Sequence, residues 1–135
     1  MMNTPPLPES VVQRQLDAYN ARDLEALLGI YAPDAELFEH PGTPLARGTA
    51  ELRVRFAARF TEPGLHAQLL NRIVMGQIVI DHEIVTRCFP EGPGTLALVM
   101  IYEVRGDRIA KAWNLPGPKH LTGASVPGRQ TPPPP

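Results

Sequence analysis

A chain of 135 residues is the size of one domain, and 43% apolar residues are enough to give that domain a core. Thirteen Lys and Arg stand against fourteen Asp and Glu, so no basic surplus exists to neutralise phosphates, which argues against a nucleic-acid partner. The single Cys88 has no second thiol for a disulfide or a zinc set, and its place in a strand pattern predicts a buried small hydrophobe. The longest apolar run, Leu96 to Tyr102, is too short to cross a bilayer. The N-terminus has neither a basic start nor an apolar stretch, so no signal peptide is expected and the expected compartment is the cytoplasm.

The sixteen prolines gather at the ends, three in the first eight residues and seven from Pro116 onward. Residues 1–7 are expected to be a flexible start, residues 8–117 one folded domain, and residues 118–135 an unpacked Pro-rich tail. Within the domain, Val11, Val12, Gln15, Leu16 and Tyr19 repeat at helical spacing after Pro8 and Glu9. Asp23 caps a second predicted helix carrying Leu24, Leu27, Leu28 and Tyr31, which Pro33 stops. Thr49 caps a third, with Leu52, Phe56 and Phe60 on one stripe and Pro63-Gly64 at its end. Arg53, Arg55 and Arg59 fall off that stripe and read as a solvated face rather than an anion site. A short strand, Ala35 to Glu39, precedes the third helix and turns at Pro41-Gly42-Thr43-Pro44. After it the chain reads as an antiparallel meander over 66–75, 77–89, 95–105 and 108–115, with Gly76, the loop at 90–94 and Gly106-Asp107 as its breaks. Helices first and strands second predict an α+β domain, three helices on one face of a strongly curved antiparallel or mixed sheet, with a hollow between the layers.

Function should show as polar groups on stripes that ought to be apolar. Gln15 shares its helix face with Val12, Leu16 and Tyr19. Glu39 is in phase with Leu37 and Ala35. His82 lies among Ile78, Ile80, Ile84 and Cys88, the more apolar set of its strand, and that set is expected to face inward. Tyr19, Tyr31 and Tyr102 can bring hydroxyls to a cavity from otherwise buried rings, and Asn114 sits near the end of the last strand. Phe56 and Met100 complete the expected lining. His40, His66, His82 and Glu39 have no close ligand spacing, so no metal and no cofactor are expected.

Four segments in order resemble bacterial ketosteroid isomerases: Val11-Val12-Gln13-Arg14, Asn20-Ala21-Arg22-Asp23-Leu24, Tyr31-Ala32-Pro33-Asp34-Ala35 and Arg47-Gly48-Thr49-Ala50-Glu51-Leu52. Those enzymes belong to the nuclear transport factor 2-like superfamily, with the SnoaL-type polyketide cyclases. The resemblance implies a cone fold with a pocket and a homodimer. In ketosteroid isomerase an Asp base moves a proton beside a carbonyl while a Tyr and a protonated Asp hold the oxyanion. In this sequence the base position falls on Glu39, or on His40 if Pro41 is matched. The donor Tyr falls on Gln15, and the protonated Asp on about Met100. Losing one oxyanion donor typically costs about 3–4 kcal/mol of transition-state stabilisation. With both gone, a 3-oxo-steroid isomerase of the usual mechanism is not expected. The expected function is a pocket for a small apolar molecule, used either for cofactor-free isomerisation or dehydration of a carbonyl compound or for binding alone. Glu39, His82 and His40 are the expected catalytic groups. The strand at 95–105, apolar on both sides, predicts a dimer through the outer face of the sheet.

Overall fold

The computed structural model describes residue 4 and residues 6–122. Helix α1 (Pro8–Ala21) opens on its proline, with Glu9 in the first turn, and ends at Arg22 in the left-handed conformation (φ 56°). Helix α2 (Leu24–Ile30) is capped as expected, the Asp23 carboxylate accepting from the Ala26 N–H at 3.1 Å. It stops one residue before Tyr31, which is extended and begins strand β1 (Tyr31–Glu39) rather than ending the helix. Pro33 is the cause, because it disfavours helical backbone at the residue before it. A strand not expected from the sequence, β2 (Thr43–Arg47), folds back on β1. Helix α3 (Gly48–Arg59) is not capped by Thr49. Its start is held from the other side, Glu51 Oε1 accepting from the Arg47 N–H at 2.8 Å.

Strands β3 (His66–Met75), β4 (Ile78–Phe89), β5 (Gly92–Arg105) and β6 (Arg108–Leu121) form the meander. The sheet has six strands in the order β2-β1-β6-β5-β4-β3, antiparallel except for β1 beside β6. Strand β6 runs past residue 118, where an unpacked tail was expected, and pairs with β5 as far as Gly94 opposite Leu121. That pairing requires glycine, since a Cβ at position 94 would lie 2.4 Å from the His120 carbonyl oxygen. The remainder of the expected tail, and residues 1–3 and 5, lie outside the described residues. The three helices pack against this sheet, and Val11, Val12, Leu27, Leu52, Val79 and Ile109 are fully buried between the layers. Cys88 is only half-buried.

One expectation is reversed outright. On β4 the inward residues are Val79, Asp81, Glu83 and Val85, and His82 is exposed on the outer face. The apolar count misled because the outer face is itself apolar: Ile80 pairs with Ile101, His82 with Val99, and Trp113 stacks on Phe38 at 5.6 Å. Of the two inward carboxyls, one has a charged partner. Asp81, with no exposed surface, receives Arg72 from the opposite position of β3 at 2.6 Å (Nε to Oδ1) and 2.9 Å (Nη2 to Oδ2). Arg72 also donates to Gln13 Oε1 at 2.9 Å, tying α1 to the sheet.

Candidate functional site

Between α1, α3 and the sheet lies a cavity of ≈ 80 Å³. Gln15, Tyr19, Tyr31, Phe56, Met100, Tyr102 and Asn114 all line it, together with Glu83, Arg55 and Arg59. The expected catalytic set does not. Glu39 is in phase with Leu37, but it sits where β1 runs out of the protein and is exposed. His40 is exposed beyond it, and its N–H donates to the Asn114 carbonyl at 2.8 Å. His82 is on the other side of the sheet. Among the described residues no three His, Cys, Asp or Glu side chains gather as a metal site.

The polar groups inside form a directed chain. The Tyr102 hydroxyl donates to Gln15 Oε1 at 3.2 Å, and Gln15 Nε2 donates to the Tyr31 oxygen at 3.3 Å. The Tyr31 oxygen accepts in this chain, so its own proton is available to a guest in the cavity. All three side chains are buried, and burial pushes the phenols of Tyr31 and Tyr102 up, so both stay protonated. Gln15 thus occupies the position that the resemblance gives to a phenol donor and, from there, orients a different phenol. Across the cavity, Asn114 Oδ1 is buried without a hydrogen-bond partner among the described residues, an acceptor that a guest hydroxyl can complete.

Glu83 is the carboxyl of this cavity. It is 4% exposed and its pKa is pushed up to about 8, first by burial, then by the neighbouring Asp81 carboxylate, against a smaller opposing pull from Arg72. Arg72 is committed to Asp81, so among the described residues no cation pairs with Glu83, and at neutral pH its carboxyl is mostly a neutral acid. A buried neutral acid and a phenol whose proton is uncommitted are the two donor types that stabilise an enolate oxygen. Both are present, from positions other than those the resemblance indicated.

Arg55 and Arg59 lie on the wall between this cavity and a wider groove of ≈ 760 Å³ along α3. Their expected solvated face is corrected by helix geometry: Leu52, Arg55, Phe56 and Arg59 are at i, i+3, i+4 and i+7, one face of α3. Arg53 alone is on the far side, paired with Glu25 at the surface.

Known structures repeat this architecture. An uncharacterised cystatin-fold protein from Novosphingobium aromaticivorans is 22% identical, covers 81% of this chain and 97% of its own, and superposes with a TM-score of 0.74. IdmH from Streptomyces antibioticus, a candidate polyketide cyclase, is 21% identical over 82% of this chain and 92% of its own, at a TM-score of 0.70. A ketosteroid isomerase-like protein from Catenulispora acidiphila, in complex with trimethylamine, is 16% identical over 82% of this chain and 85% of its own, at 0.68. At these identities the likeness establishes the fold, the nuclear transport factor 2-like cone. The SnoaL-like domain family matches residues 12–112, most of the described chain, and this protein belongs to that family.

Proposed function

We propose that the protein is a cofactor-free acid–base catalyst acting on a small, mostly apolar carbonyl compound, and that Glu83 carries the proton. The supporting observation is a buried carboxyl, its pKa pushed up to about 8, on the wall of a cavity that the Tyr31 hydroxyl also lines. The Glu83 acid gives its proton to the carbonyl oxygen while its second oxygen takes one from the adjoining carbon, so the enol forms and the acid is regenerated. Tyr31 donates a second hydrogen bond to the same carbonyl oxygen. This keto–enol step is common to isomerisation and to loss of a β-hydroxyl as water.

Deuterium exchange at the carbon beside the carbonyl, followed by NMR over a panel of apolar ketones, tests this reading. Glu83→Gln is expected to slow exchange by about 10²-fold or more. Tyr31→Phe, which removes only one donor, is expected to slow it by about 10²-fold with little change in binding. Exchange in the wild type should fall above pH about 8, as Glu83 ionises. Binding of ketones without any exchange would favour a carrier, the second use of such a cavity.

We also propose that the protein is a homodimer, with a second copy covering the outer face of the sheet. Ile80, Val99, Ile101, Trp113 and Leu115 make that face continuous across three central strands, and Leu115 is 41% exposed. An apolar surface spread over several strands is one that solution monomers rarely leave bare. Light scattering at tens of micromolar should give twice the chain mass, and Ile101→Lys should halve it. A monomeric wild type would remove the proposal.

A further inference from the structure

The wall that separates the cavity from the outer groove carries an unspent positive charge. Three arginines line the two spaces: Arg55, Arg59 and Arg87. Arg87 is bidentate to Glu62, with Nη2 at 2.7 Å and Nε at 3.1 Å, and Arg59 Nε lies 3.3 Å from the same carboxylate. Glu62 is therefore shared by two guanidinium groups. The other groove carboxylate, Glu51, is occupied at the start of α3 by the Arg47 N–H. Arg55 has no ion pair and no side-chain hydrogen bond among the described residues.

Arg55 is also half-buried, and its environment disfavours its charge. Loss of hydration is the main cause, followed by repulsion from Arg59 and from Arg87, while the attraction of Glu39 is weaker than either repulsion. A guanidinium does not escape by losing its proton in a protein. An anion supplied from outside offsets the lost hydration and screens the repulsion from Arg59 and Arg87. A carboxylate suits the position, since its planar pair of oxygens matches the guanidinium fork and its single charge balances the single unpaired arginine. A phosphate dianion would meet about twice the repulsion from the Glu51 and Glu62 carboxylates that line the groove.

We infer that the ligand is an oxo-carboxylate, whose apolar body and carbonyl enter the cavity while its carboxylate is held at the mouth by Arg55. This rests on the reading of the cavity as a carbonyl site. Glu83 and Tyr31 address one end of the molecule and Arg55 the other, so the arginine fixes which carbonyl of a multifunctional compound meets the acid. A neutral analogue keeps the inner contacts and loses the outer one.

Calorimetry with benzoylpropionate and with benzoylpropionamide, its nearly isosteric neutral counterpart, separates the two parts. The acid is expected to bind the wild type about tenfold more tightly than the amide, a preference that weakens in high salt. Arg55→Gln should bring the acid down to the level of the amide while leaving amide affinity unchanged, which also shows that the variant is folded. Arg55→Lys should keep part of the preference. If wild type binds acid and amide equally, or if Arg55→Gln leaves the preference intact, the carboxylate assignment fails and the carbonyl pocket survives. If neither compound binds, both assignments fail. Tighter binding of phenyl phosphate than of benzoylpropionate would also overturn the carboxylate.

Discussion

Replacing Arg72 by Leu is expected to destabilise the protein by roughly 3–5 kcal/mol. The size follows from what is left behind: Asp81 is wholly buried, and Arg72 supplies both of its short hydrogen bonds. The arginine also reaches across to Gln13 on α1, so helix and sheet lose a common anchor. Chemical denaturation at pH 7 measures the loss. Breaking the pair from one side is the costly change, because an uncompensated charge remains in the core. Removing both charges, with Arg72→Met and Asp81→Leu together, should recover most of the stability. It should also lower the pKa of Glu83, since the repulsion from Asp81 outweighs the attraction of Arg72. A single variant within 1 kcal/mol of wild type, on the order of ordinary surface changes, would show that the pair contributes little.

Glu83→Gln should make the protein progressively more stable than wild type as pH rises. An ordinary carboxyl titrates at 4.5, and Glu83 in the folded protein titrates at about 8. Between those values the unfolded chain has released its proton while the folded chain still binds one, so wild-type stability falls with increasing pH. Below that window Glu83 contributes no pH dependence, and above it the penalty is complete. At about 1.4 kcal/mol for each pH unit of the window, the full effect is roughly 5 kcal/mol. The amide removes this dependence, so the difference between variant and wild type should climb from pH 4.5 to about 8 and then level. Urea denaturation at a series of pH values reads the curve directly. A difference that stays flat across the window would mean that Glu83 is ionised in the folded state, which would also withdraw it as the neutral acid of the proposed chemistry. A group that destabilises the fold at working pH and faces a cavity fits a site kept for its chemistry rather than for its packing.

Much of this molecule is determined by local rules. The helical repeat at Val11, Val12, Leu16 and Tyr19, the cap at Asp23, and the Gly76 and Gly106 turns place α1, the start of α2 and the turns that join β3 to β4 and β5 to β6. The ordered segments from Val11 to Leu52 indicate the family, and the cavity residues Gln15, Tyr31 and Tyr102 stand out as polar groups in apolar company. Some of what was missed was also legible. Helical spacing puts Arg55 and Arg59 on the face of Leu52 and Phe56. The turn after Met75 sets Arg72 directly opposite Asp81, since each lies three residues from the pair Met75 and Ile78.

The phase of β4 is different, because alternation reports that two faces differ without saying which is inside. In a sheet covered by helices alone, the apolar set would be inward. Here the outer face carries apolar residues on several strands, so the count on one strand points the wrong way, toward His82. Only the packed structure shows that these residues point inward, where Asp81 meets Arg72 and Glu83 meets a cavity, the two conditions under which carboxylates can face the core. Glu39 fails for a related reason: its alternation is right, but the strand leaves the protein at that residue, and burial depends on what covers a side chain rather than on its phase. Pattern along the chain is enough for the family, the layers and the polar residues of the cavity. Which carboxyl faces the cavity and which arginine is left unpaired depend on packing, because α1 and α3 must come over β4 before Glu83 has a cavity and Glu62 is taken by Arg87.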